Sequence, residues 1–267
     1  MRHKRPIAVL LVVAASVASS WSAETHDIRT ITVVAAVDEE FRNAFGEQLR
    51  EMLGEVVSRV SELYESELQL RFELDPRIRD WSYEGGAHRV RSALRAAIPL
   101  ESDSTLVVGF TARDEFSEAG LAAASDPYVV IRRRPSVSAN DELTYFLAHE
   151  VAHVFYAFHV GTETGADCHL MRVAIEIIGE EPCPGSPSFH PATLTILRAT
   201  RGMDLSSDVR QLEAETLTLI IETYEAHAAR ASTNPIEIAF VELAQRHQRA
   251  GDINAAREVA EVVVEIA

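Results

Sequence analysis

The chain has 267 residues, 41 acidic and 25 basic, for a formal charge of −16. Every basic residue but one is Arg, the exception being Lys4. A Walker-type phosphate loop and Schiff-base chemistry both need a lysine amine, so they are excluded wherever Lys4 is lost, and the acidic excess argues against nucleic acid or an anionic membrane surface as partner.

The first expected element is an export signal. Arg2, His3, Lys4 and Arg5 precede an apolar run at residues 7–17, and small residues follow at Ala18, Ser19, Ser20, Ser22 and Ala23. A run of about 11 residues is too short to span a bilayer, and the layout is that of a cleaved secretory signal with no stable membrane anchor. An uncleaved N-terminal anchor is the alternative. Removing residues 1–22 takes away three basic residues and no acid, moving the charge from −16 to −19 and leaving no lysine. The expected location is secreted or periplasmic. In such an oxidising compartment Cys168 and Cys183, the only two cysteines, are expected to pair. A closed loop of about 15 residues contributes roughly 3 kcal/mol on the chain-entropy model.

Next comes an α/β region, assigned to residues 23–205. Residues 28–37 (IRTITVVAAV) read as a buried strand. Residues 38–67 carry Phe41, Phe45, Leu49, Met52, Leu53, Val56, Val57, Val60 and Leu63 at helical spacing, which predicts one long amphipathic helix. Residues 68–74 alternate as a half-buried strand should, and Asp75-Pro76 ends it. A helix is expected over residues 86–98 and a buried strand over residues 105–110 (TLVVGF). A short strand is expected over residues 128–132, running into Arg132-Arg133-Arg134-Pro135. Charge and Pro there discourage further pairing, so this strand is read as the sheet edge. Asn140 or Asp141 caps a following helix. Strands alternating with helices predict an α/β fold with helices against the sheet. From residue 206 onward the pattern is helical only, with segments 209–231, 235–250 and 253–266. The last two, joined at Gly251-Asp252, resemble one tetratricopeptide unit. A single unit makes no solenoid, so both a docked helical hairpin and a protein-interacting surface stay open.

The chemistry concentrates in residues 149–159, HEVAHVFYAFH. On a helix, His149 and His153 lie one turn apart on one face, so both imidazoles can reach one Zn²⁺ at about 2.0–2.1 Å. Glu150 projects beside them, placed to take a proton from the attacking water and hand it to the leaving amine. Continued as helix, His159 would lie about 9 Å beyond His153 along the axis and off its face. The chain must therefore break before His159 for that side chain to join the metal. If His159 does not return, Glu163, Asp167 and Glu176 are the carboxylates left to complete the set, Glu176 in a thermolysin-like (gluzincin) arrangement. His169 and His190 read as ordinary loop histidines.

This HExxHxxxxxH spacing, followed by Cys168-His169-Leu170-Met171, resembles the metzincin zinc metalloproteases, in particular small secreted bacterial ones of the snapalysin and archaemetzincin kind. The upstream order agrees, with a long helix after the first strand, TLVVGF, a GLA stretch at 120–122 and a short strand before the HExxH helix. The family pattern carries Gly where this chain has Tyr156, so the resemblance implies that the chain breaks there, in a left-handed conformation that costs a tyrosine roughly 1–2 kcal/mol. The resemblance covers residues 28–205. It implies a zincin-like α+β fold, a twisted mixed sheet with an antiparallel edge strand over the active-site helix. It further implies a third metal ligand at His159, a Met-turn at Met171, and substrate aligned by strand addition on Tyr128, Val129, Val130 and Ile131. Residues 189–201 would form the closing helix.

The expected activity is thus a secreted zinc endopeptidase acting on protein or peptide. A zinc hydrolase with another scissile bond, and a catalytically silent zinc-stabilised interaction protein, are the competing readings. Intact Glu150 speaks against the last, since binding alone does not need it.

Overall fold

The computed structural model describes residues 27–84, 87–113, 119–124, 126–133, 139–160, 169–171, 188–205, 212–227 and 251. Strand β1 (Arg29–Val37) has no polar stripe in its inner half, and it is buried on both faces as parallel strands are. Ile31, Val33, Ala35 and Val37 point to one layer, Val34 and Ala36 to the other. Asp38 then caps helix α1 (Glu39–Phe45), its carboxylate accepting the Phe41 N–H at 2.7 Å and the Thr111 hydroxyl. The single helix expected over residues 38–67 is divided. Gly46 takes φ +52° and ends α1, and a 3-10 turn (Gly46–Gln48) leads into helix α2 (Leu49–Leu68). Glycine reaches that backbone region without the penalty a Cβ brings.

Strand β2 (Leu70–Leu74) returns parallel to β1, and β3 (Arg79–Asp80) continues the pairing along β1 where β2 stops. Helix α3 (Ala87–Ala97) crosses to β4 (Thr105–Thr111), parallel to β1 on its other side. Strands β5 (Gly120–Ala123) and β6 (Asp126–Arg132) form an antiparallel hairpin, with β6 parallel to β4. The sheet order is β2-β1-β4-β6-β5. The expected α/β class holds, including its one antiparallel edge strand.

The identity of that edge strand is corrected. Tyr128, Val129, Val130 and Ile131 lie in β6, which pairs with β4 on one side and β5 on the other, and their side chains are buried in the two layers flanking the sheet. The edge is β5. The GLA stretch pairs antiparallel with β6, with Gly120 opposite Ile131 and Ala123 opposite Asp126. Charge and Pro after residue 131 therefore mark the end of β6 and say nothing about its side.

Helix α3 covers one face of the sheet, where Trp81, Tyr83, Val90 and Leu94 pack on Val107, Tyr128 and Val130. The packing is close enough that a Cβ at Gly109 would lie 2.9 Å from Leu94 Cδ2 and 3.0 Å from Trp81 Cζ2, so a side chain there would displace Leu94. The other face carries α2, α4 (Ala139–Val154) and α5 (Pro191–Thr200) over one large apolar core. Tyr64 of α2 donates its hydroxyl to the Ala148 carbonyl at 2.7 Å, tying α2 to α4. Helix α6 (Ala214–His227) packs on α5. Cys168, Cys183, Glu163, Asp167, Glu176 and the expected helices at 235–250 and 253–266 lie outside the described residues. Among the described residues no helix is long and apolar enough to cross a membrane.

Candidate metal centre

Helix α4 buries Leu143, Leu147, Val151 and Val154 in the core, which turns His149 and His153 toward the sheet hairpin and the segment around Met171. The helix ends at Val154 through a Schellman arrangement. The Ala157 N–H donates to the Ala152 carbonyl at 3.0 Å and the Tyr156 N–H to the His153 carbonyl at 2.9 Å, with Tyr156 at φ +65°. Those are the six-to-one and five-to-two bonds of that motif, whose left-handed position is ordinarily glycine. The chain then reverses, and His159 comes back to the same side as the two helical histidines.

The three rings form a compact group. Their centroids are 4.8 Å (His149–His153), 5.1 Å (His149–His159) and 4.8 Å (His153–His159) apart. The His149 Nε2 lies 3.1 Å from both the His153 and His159 Nε2 atoms. On the opposite side of two of the rings, His149 Nδ1–H donates to the Leu170 carbonyl at 2.7 Å and His153 Nδ1–H to the Ala157 carbonyl at 2.7 Å. A carbonyl oxygen can only accept, so Nδ1 carries the proton and Nε2 keeps its lone pair. Lone pairs this close repel unless a cation lies between them. Three nitrogens at about 2.0–2.1 Å from one tetrahedral ion stand roughly 3.3 Å apart, so the donor set fits zinc. The carbonyls act as the outer partners that fix ring orientation and tautomer.

Electrostatics agree with neutral ligands. Burial, reinforced by the neighbouring His153, lowers His149 to about 3. Burial also lowers His153, and it holds His159 well below the usual imidazole range, with the other two rings adding to it. Taking an imidazolium out of water without a counter-charge is unfavourable, so the rings stay uncharged and available.

Glu150, on the adjacent face of α4, is buried beneath the edge strand. A Cβ at Gly120 would stand 2.4 Å from its Oε1 and 2.6 Å from its Cγ, so β5 crosses the carboxylate only because residue 120 is glycine. Burial raises Glu150 to about 8, against the opposing pull of the Arg91 guanidinium and of a hydrogen bond from the Ala122 N–H. Arg91 is itself paired. Its Nη1 and the Arg95 Nη2 each lie 2.8 Å from Asp126 Oδ2, clamping the β5–β6 turn to α3. These groups were not among the residues singled out in the sequence. Nothing local in the GLA stretch shows that Gly120 and Ala122 meet residue 150.

Met171 is fully buried beside the triad, and its carbonyl accepts the N–H of Val160, the residue after His159, at 2.8 Å. Met203, its rival by spacing, packs instead beside Tyr156. His190 is the N-cap of α5, its Nδ1 accepting the Ala192 N–H at 3.1 Å. Tyr128, Val129, Val130 and Ile131 do not reach the group. Among the described residues, His149, His153 and His159 are the one cluster of ligating side chains with the spacing to hold a metal.

A sequence model for metallopeptidase family M12 (Reprolysin_5) matches residues 27–199, well over half the chain, including all three histidines and Glu150. A comparison with curated proteins finds no match. Solved structures to which the chain shows a distant similarity include the following two. One is a chaperone–substrate complex (15% identity over 68% of this chain, TM-score 0.46) and the other is metalloproteinase-II from Bacteroides fragilis (15% identity over 65%, TM-score 0.42). This chain spans 35% of the first and 54% of the second.

Proposed function

We propose that this chain, which belongs to metallopeptidase family M12, is an exported zinc endopeptidase of the metzincin kind. The observation that carries the reading is the convergence of three neutral imidazoles, two of them locked in the ligating tautomer by the Leu170 and Ala157 carbonyls. His149, His153 and His159 would hold the metal. Bound zinc supplies Lewis acidity toward the scissile carbonyl and makes water a competent nucleophile near neutral pH.

The remaining chemistry belongs to the protein. Glu150 takes a proton from the attacking water on its carboxylate and delivers it to the leaving amine nitrogen. Burial disfavours its charge and so favours the protonated form between the two transfers, while the Arg91 guanidinium opposes that shift and favours the carboxylate that accepts the proton. Gly120 leaves room for the carboxylate, and the Ala122 N–H orients it. The outer edge of β5, in place of residues 128–131, presents backbone donors and acceptors to an extended peptide. Met171 supports the floor of the site as a Met-turn. Residues 1–22 serve as the export signal, residues 23–205 as the catalytic unit and residues 206–267 as a helical appendage.

Hydrolysis of casein and of an unstructured peptide by the zinc-loaded protein, compared with Glu150→Ala, tests the reading. The variant keeps its zinc and loses about 10²- to 10⁴-fold in kcat/KM. Equal rates in the two proteins would reject Glu150 as the proton carrier, and no cleavage by either would reject the peptidase.

A further inference from the structure

A left-handed backbone at a bulky aromatic residue needs compensation from its surroundings, and here part of that compensation comes from outside the family-matched region. Tyr156 is buried in a small apolar cluster with Ile196 of α5 and Leu212, bordered by Phe158, Met203, Ala124 and Ile220. Phe158, which immediately precedes His159, meets the Tyr224 ring of α6 at 4.5 Å and an interplanar angle of 61°. Leu212, Ile220 and Tyr224 all lie beyond residue 199, where the family match ends. The two side chains that flank the reversal, 156 and 158, are therefore both packed by the C-terminal segment.

We propose that residues 212–224 are a positioning element for the metal centre. By enclosing Tyr156 and Phe158 they make the left-handed turn tolerable for tyrosine and so deliver His159 to the other two rings. None of these residues touches the metal; they act through the backbone at 156. The inference rests on His159 being the third ligand. It predicts an energetic coupling between Tyr156 and α6 that ordinary packing would not show. Removing the packing should weaken zinc binding when residue 156 is tyrosine, and hardly at all when it is glycine, which adopts that conformation freely.

The experiment uses the full-length protein with zinc affinity as the readout, measured by competition with a chromophoric chelator, and the visible spectrum of the Co²⁺-substituted form as a check on coordination. Tyr224→Ala and Leu212→Ala each weaken zinc about ten-fold, the loss expected if the cost of the left-handed tyrosine falls on the metal site. Tyr224→Phe, which keeps the ring, binds as wild type. In the Tyr156→Gly background, Tyr224→Ala changes zinc affinity less than about three-fold, although thermal stability still falls. Equal losses in the two backgrounds, or no loss in either, would overturn the proposal. His159→Ala separates the two levels. If it weakens zinc while Tyr224→Ala and Leu212→Ala do not, the positioning role alone fails; if it leaves zinc affinity unchanged, the three-histidine reading fails and takes the proposal with it.

Discussion

Two groups of histidines lie among the described residues, and one of them is built to ligate. His149, His153 and His159 have ring centroids 4.8–5.1 Å apart. His169, His190 and His227 also gather, at 4.8 Å (His169–His190) and 5.6 Å (His190–His227). The separations are similar and the surroundings opposite. In the first group Nδ1 of two rings donates to a carbonyl, so Nε2 is a lone pair aimed at the common centre. In the second, His190 Nδ1 accepts a backbone N–H as the N-cap of α5, so in the neutral ring Nε2 carries the proton and has nothing to give a cation. Proximity gathers histidines; the group facing Nδ1 decides whether they bind metal.

The comparison is open to tests of decreasing size. His153→Ala removes one ligand from the first group and should weaken zinc more than about 100-fold, exceeding the loss usual for outer partners alone. Calorimetric titration of the metal-free protein measures it, and retained nanomolar binding would mean that the group is not the metal site.

Acidification is the second test. His149 stands at about 3 in the folded chain, with His153 and His159 also lowered, against about 6.5 in an unfolded one. The unfolded chain thus takes up protons that the folded, metal-free chain refuses. This contribution is harmless above pH ~6.5 and destabilises progressively as pH falls toward about 3, by on the order of a few kcal/mol in total. Urea midpoints of metal-free wild type and the non-titrating His149→Gln, compared at pH 7.5 and 5, isolate it. Parallel pH dependence in the two proteins would show that His149 titrates as freely folded as unfolded.

Gly120→Ala comes third. The added methyl displaces the Glu150 carboxylate and leaves the ligands alone, so kcat should fall about 10- to 100-fold with zinc content unchanged. A normal kcat would mean that β5 yields without disturbing Glu150. The smallest effect belongs to the second histidine group. His190→Ala should leave zinc affinity untouched and cost about 1 kcal/mol of stability through the lost cap. Weaker zinc binding in that variant would erase the distinction between the groups.

Much of this architecture was legible from residue order, because it depends on local geometry. The i,i+4 relation of His149 and His153 follows from helix pitch, and the strands at 29–37 and 105–111 follow from β-branched and apolar runs. The need for a break before His159 followed from the same pitch, and the structure places that break at Tyr156, in the left-handed conformation. The division of the first helix was missed because Gly46 was read within an amphipathic pattern that continues past it. The edge strand was misplaced because pairing partners are not encoded in the paired segment. Residues 128–132 have the composition of a strand whichever side is covered.

The sequence by itself put His149, Glu150 and His153 on one helix and required a reversal for His159 to join them, with the third ligand left open. Only the tertiary structure decided the rest, since each remaining feature is a contact between distant segments. Leu170 sets the tautomer of His149, Gly120 admits Glu150 beneath β5, and Leu212 and Tyr224 pack the turn at Tyr156. Helical periodicity reaches over a few residues. These contacts bridge 21 to 66 positions, and only the folded packing brings them together.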